Sequence, residues 1–177
     1  EEKVIYLGTF SKSIAPSLRI SYMVLPLHLL KKYQESCSFY STTVSKIQQE
    51  VLREFIRGVY FGRHLNKMRG IYKNKHDFLV GELKKKNWVQ NIAGDNAGLH
   101  VLVQVNTTLT EEEICKKAAE CGIRLMGIRE HYIHTPPEGR PVLLLGYGKP
   151  DEQEIQKGLE VLESIITGRN SNNCKKP

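Results

Sequence analysis

Short apolar runs alternate with stripes of helical period along this chain. Val4 to Leu7 is apolar and closes on Gly8, the pattern of a buried strand. Ile20 to Leu25, stopped by Pro26, is a second such run. Residues 9–19 between them are rich in Ser and broken by Pro16, which predicts a loop. A short helix is expected over Leu27 to Glu35 and a polar turn over Ser36 to Ser41. Val44, Ile47, Val51, Leu52, Phe55 and Ile56 then recur at three- and four-residue spacing, one buried face of an amphipathic helix. Gly58 and Gly62 interrupt that pattern. Residues 63–86 read as one long charged helix burying Leu65, Met68, Tyr72, Leu79 and Leu83, a spine between two modules.

After this spine the period shortens. Trp88 to Ile92 is extended, Gly94-Asp95-Asn96 is a turn, and Leu99, Val101, Val103 and Val105 alternate as the buried face of a strand. Thr110 opens a helix with a capping box to Glu113 and a hydrophobic staple between Leu109 and Ile114. Gly122 suits the left-handed position that ends it. Ile123 to Met126 and Val142 to Leu145 read as strands, joined through a turn at Pro136-Pro137-Glu138-Gly139. Asp151 with Glu154 caps a last helix that buries Ile155, Leu159, Leu162 and Ile166. The order from Trp88 is strand, strand, helix, strand, strand, helix, a small α+β sandwich. The tail beyond Gly168 is polar and expected to be disordered.

With 177 residues and 40% hydrophobic content, the chain has enough material for one large domain or two small ones. No apolar run approaches the ~20 residues of a membrane helix, and no secretory signal opens the sequence. It lacks an initiator Met and begins directly before an apolar strand, so it is expected to be a fragment of something longer. The net charge of +7 is spread over short clusters such as Lys84-Lys85-Lys86, which read as solvated helix surface and not as a nucleic-acid stripe. Cys37, Cys115, Cys121 and Cys174 form no C-x-x-C pair and no His stands at zinc-finger spacing, so reduced thiols in a cytoplasmic protein are expected.

The candidate chemistry lies in residues 8–19. A strand delivers Thr9, Ser11 and Lys12 into a loop, and Arg19 returns seven residues after the lysine. Two hydroxyls and a planar, permanently charged fork are suited to a phosphate. An amine beside them is suited to an aldehyde held by that phosphate, and a neighbouring cation favours the neutral, reactive form of the amine.

The whole segment GTFSKSIAPSLRISYMVLP resembles the Schiff-base loop of fold-type-I pyridoxal-5′-phosphate enzymes, the aspartate aminotransferase superfamily. Within it, the chain resembles the aminotransferase-like domain of MocR-type transcription regulators of the GntR superfamily, a group that includes the GABA-responsive regulator. The segments QQEVLREFI, HLNKMRGIYKNKHDFL, NAGLH and GRPVLLLGYG extend the likeness to about residue 166. Ser17 departs from it, standing where the family usually has Gly.

The resemblance implies an α/β fold, α+β in its C-terminal half: the C-terminal portion of a fold-type-I aminotransferase-like domain. Residues 1–62 would be the tail of the large cofactor-binding domain, 63–86 the connecting helix, 87–168 the small domain and 169–177 a disordered tail. It implies that Lys12 holds pyridoxal 5′-phosphate as an aldimine, that Arg19 binds its phosphate with Thr9 and Ser11 assisting, and that an arginine holds the carboxylate of an amino-acid ligand. Arg129 aligns best with that last role and Arg140 is the second candidate. The rest of the cofactor pocket, and a winged helix-turn-helix that reads DNA, are expected upstream of this chain, in a homodimeric parent. The fragment alone is expected to be inactive.

Other residues admit plainer readings. His100 fits a half-buried strand histidine, and His131 and His134 lack a third metal ligand, so no metal is expected. Glu111-Glu112-Glu113 suits a helix N-terminus by charge–dipole attraction. Tyr22 and Tyr33 read as packing residues. Thr42, Thr43 and Ser45 read as a cap or as a contact to a partner subunit's phosphate. Three functions follow in order of preference: an amino-acid-responsive regulator, a class I/II aminotransferase using the same residues, and a cofactor-free scaffold.

Overall fold

The computed structural model describes residues 3–94, 98–135 and 138–168. The chain divides into two compact units, Glu1–Arg69 and Gly70–Pro177.

In the first unit, strands β1 (Tyr6–Thr9) and β2 (Ser21–Val24) pair antiparallel, Tyr6 opposite Val24 and Thr9 opposite Ser21. Gly8 lets the Tyr22 ring cross the backbone: a Cβ there would lie 2.3 Å from Tyr22 Cζ. That ring packs between Tyr6 and Phe10, with centroids 6.0 and 5.2 Å away. Residues 9–19 are not loop throughout. The extended Thr9 caps one helical turn, α1 (Phe10–Ser13), accepting the Ser11 N–H at 3.2 Å. The hydroxyl residues that suggested a loop supply the cap.

Helix α2 (Leu27–Cys37) follows Pro26. Helix α3 (Lys46–Arg57) is capped by Ser45, which accepts the Gln48 N–H at 3.2 Å. Thr42 bonds back to Val44, so this polar stretch is a turn and a cap. Helix α4 (Tyr60–Lys84) starts earlier than expected and runs through Gly62. One glycine costs a helix about 1 kcal/mol, too little to break 25 residues.

The expected burial of the α3 stripe fails within this unit. Ile47 is 78% exposed and Val51 65%, while Val44, Leu52 and Phe55 are only half-buried. Tyr6, Leu7, Met23 and Val24 are exposed on the two faces of the β1–β2 pair. Ile20 is the single buried hydrophobe among the described residues of this unit. The described residues of this unit therefore bury little apolar surface among themselves.

The second unit has such a core. Strands β3 (Val89–Ala93), β4 (His100–Val105), β5 (Met126–Gly127) and β6 (Val142–Gly146) form an antiparallel sheet in the order β3-β4-β6-β5. Val101, Val103 and Val105 are fully buried, as the alternation requires, together with Leu143, Leu83 and Ile114. Leu79, Leu159 and Leu162, from α4 and α6 (Glu152–Thr167), belong to the same cluster. Both capping boxes form, Thr110 with Glu113 on α5 (Glu111–Glu120) and Asp151 with Glu154 on α6.

The strand expected over Ile123 to Met126 shrinks to Met126–Gly127. Gly122 takes a φ of 78°, and the N–H groups of Gly122 and Ile123 return to the carbonyls of Ala119 and Ala118 at 3.0 and 2.8 Å. These bonds close α5 and remove Ile123 from the ladder. Cys37 and Cys115 are free thiols. The tail at 169–177 and the centres of the two expected turns, at 95–97 and 136–137, lie outside the described residues.

Candidate functional site

The loop between β1 and β2 is built by two side-chain bonds. The Thr9 hydroxyl donates to the Ile20 carbonyl at 3.2 Å, which also receives the Phe10 N–H at 3.0 Å. The Ser11 hydroxyl donates to the Leu18 carbonyl at 2.8 Å. On the other side, His64 Nε2 lies 3.1 Å from the Ile14 carbonyl oxygen. Each hydroxyl has a single proton, here given to the backbone. A phosphate dianion would require that proton, so in this arrangement Thr9 and Ser11 shape the loop. Lys12 and Arg19 are left exposed on it.

This pair fits the cofactor that the sequence implies. A primary amine suits an aldehyde carbon, and a guanidinium suits a phosphate bidentately. Lys12, Arg19, Thr9 and Ser11 thus share one short segment of the first unit.

Arg129 and Arg140 belong to the second unit. Arg129 opens a 3₁₀ turn (Arg129–His131), and Arg140 stands just before β6. Both line one cavity of about 910 Å³ together with Thr107, Thr110, Glu111 and Cys115. The Arg140 guanidinium donates to the Asn106 side-chain oxygen. Burial pushes the Cys115 thiol above its usual range, reinforced by the charges of Glu130 and Glu111. His100, His131 and His134 are exposed. Among the described residues, no three His, Cys, Asp or Glu are grouped to hold a metal ion.

The residue that sequence reasoning misses is Glu111. Read as one of three acidic residues favouring a helix start, it is 6% exposed, the single buried charged residue among those described. Its two oxygens accept the Arg129 and Val142 N–H groups, each at 2.9 Å. No sequence signal distinguishes it from Glu112, because its partners lie 18 and 31 residues away.

Residues 1–156 match the family model described as aminotransferase class I and II. The chain belongs to that family. It is 38% identical over 163 residues to the uncharacterized HTH-type transcriptional regulator YdeL of Bacillus subtilis (strain 168), covering 92% of this chain and 35% of that protein. It is 28% identical to the probable rhizopine catabolism regulatory protein MocR of Rhizobium meliloti, covering 93% of this chain and 33% of that protein. The chain thus spans about a third of the length of these curated relatives. Among solved structures it resembles LysN, the alpha-aminoadipate aminotransferase of Thermus thermophilus, complexed with N-(5′-phosphopyridoxyl)-L-leucine. The TM-score is 0.79 at 23% identity, over 93% of this chain and 42% of that one. The fold is therefore that of part of a fold-type-I aminotransferase. No helix of the described residues is long and apolar enough to cross a membrane.

Proposed function

We propose that this chain is the C-terminal part of the aminotransferase-like domain of a pyridoxal-phosphate-binding, amino-acid-responsive transcription regulator. Residues 1–62 would be the tail of the large domain, 63–86 its connecting helix and 87–168 the small domain. The observation that carries the reading is the Lys12–Arg19 loop, present in a chain that resembles HTH-type regulators over nearly its whole length. DNA would be read by a winged helix-turn-helix outside residues 1–177, in a cytoplasmic homodimer.

Pyridoxal phosphate, when bound, supplies an aldehyde that condenses with amines and an electron-withdrawing ring. Lys12 offers the amine for covalent attachment, and Arg19 offers a permanent charge and two parallel donors to the phosphate. Thr9 and Ser11 hold the turn that carries both, so little ordering remains for the cofactor to impose. Arg129, or Arg140 in its place, receives the carboxylate of the amino-acid ligand. Ligand binding biases the conformational equilibrium that the DNA-binding segment reads.

The full-length protein loaded with pyridoxal phosphate is titrated with the twenty L-amino acids and 4-aminobutyrate. Absorbance, keto-acid release and DNA affinity are followed together. A regulator changes its spectrum and its DNA affinity without releasing keto acid. Multiple-turnover keto-acid release with no DNA binding would overturn the reading in favour of an aminotransferase.

A further inference from the structure

We propose that Glu111 is the positioning residue for the ligand-binding arginine, an inference that rests on reading Arg129 as the arginine that receives the ligand's carboxylate. The β5–β6 ladder reaches its last pair at Gly127 and Leu143, beyond which the Ile128 N–H donates to the Val142 carbonyl at 3.0 Å. There the strands part, and the Arg129 and Val142 N–H groups turn to Glu111. Its Oε2 accepts the first and its Oε1 the second, both at 2.9 Å. One carboxylate thus fixes the backbone of Arg129 and the start of β6, two residues after Arg140.

Glu111 is not needed to cap α5, since Thr110 and Glu113 already form that capping box. Room has been left for it nevertheless. A Cβ on Gly127 would lie 2.3 Å from Glu111 Oε2 and 2.8 Å from its Cβ. Glu111, Gly127, Arg129 and Arg140 all line the same cavity. A carboxylate is the group that serves this geometry, because both its oxygens accept. A glutamine offers one acceptor and turns an NH2 toward the other N–H. The take-off point of the Arg129 side chain therefore depends on a buried charge at residue 111. A charged group that recognises a carboxylate bidentately depends on its geometry, so displacing its backbone weakens both of its hydrogen bonds.

The test uses the full-length protein loaded with pyridoxal phosphate. The unsubstituted protein is screened by absorbance with the twenty L-amino acids and 4-aminobutyrate, and whichever shifts the cofactor band becomes the probe. Glu111→Gln, Gly127→Ala and Arg129→Ala are then titrated with cofactor and probe separately. Glu111→Gln and Gly127→Ala are expected to keep the cofactor band and cofactor affinity while probe affinity falls about tenfold or more. Arg129→Ala is expected to lose at least as much. Probe affinity within about twofold of the parent in Glu111→Gln, with a large loss in Arg129→Ala, overturns the positioning role and leaves the Arg129 reading standing. Loss of the cofactor band in both Glu111→Gln and Gly127→Ala makes Glu111 a folding residue only and also overturns it. An unaffected Arg129→Ala, or no probe that shifts the band, refutes the Arg129 reading and this role with it.

Discussion

Removing the Ser11 hydroxyl separates two roles that the residue could have. The Leu18 carbonyl receives its proton at 2.8 Å. In Ser11→Ala that partly buried carbonyl loses this donor, and a net bond of this kind contributes about 0.5–1.5 kcal/mol. The loop that presents Lys12 and Arg19 should loosen by that amount, weakening pyridoxal phosphate binding by roughly two- to twelvefold. Arg19→Ala removes charge-assisted bonds worth about 1.5–3 kcal/mol each, so losing even one of them means a loss of roughly 12- to 160-fold, and losing both means more. Thr9→Ala should resemble Ser11→Ala, because the Ile20 carbonyl keeps the Phe10 N–H while the α1 cap is lost. Equilibrium titration of the full-length protein with cofactor, followed by its visible absorbance, measures all three. A loss in Ser11→Ala equal to that in Arg19→Ala would refute the inward-facing hydroxyl and return Ser11 to the phosphate.

Three further expectations concern the second unit. Leu143→Ala, at a fully buried centre of β6, should cost about 2–5 kcal/mol in chemical denaturation of this unit; a cost under about 1 kcal/mol would contradict the core described. The Thr110 backbone and side chain hold the Glu113 carboxyl below its usual range. A depressed folded-state value contributes stability above the ordinary carboxylate range and loses it as pH falls through the lowered value. Glu113→Gln should therefore flatten the acid limb of the stability profile, and an unchanged limb would refute the capping box. Burial raises the Cys115 thiol above its usual range, so iodoacetamide should modify it more slowly at neutral pH than a free cysteine in a peptide. Equal rates would contradict that environment.

The second unit is legible in the sequence because its signals are local. Thr110 with Glu113, Asp151 with Glu154, and Gly122 each act within three or four residues, and the alternation from Val101 to Val105 reports one buried face directly. The strand expected at Ile123 does not form because the helix cap and the ladder compete for the same N–H groups, and apolar character does not reveal which prevails. For α3 the period identifies the helix but not what covers its apolar side, so Ile47 and Val51 read as core yet stand exposed. In the Lys12 loop the residue types give the chemistry. The direction of the Thr9 and Ser11 protons depends on carbonyls that β2 brings back, up to eleven residues on. Glu111 leaves no trace at all, since its role is created by the end of a ladder far along the chain.

The most direct test of the central claim is the absorbance spectrum of the full-length protein purified with pyridoxal phosphate, beside its Lys12→Ala variant. The expected result is a visible band of lysine-bound cofactor in the first and none in the second. No band in either protein, or an identical band in both, would contradict the assignment of Lys12.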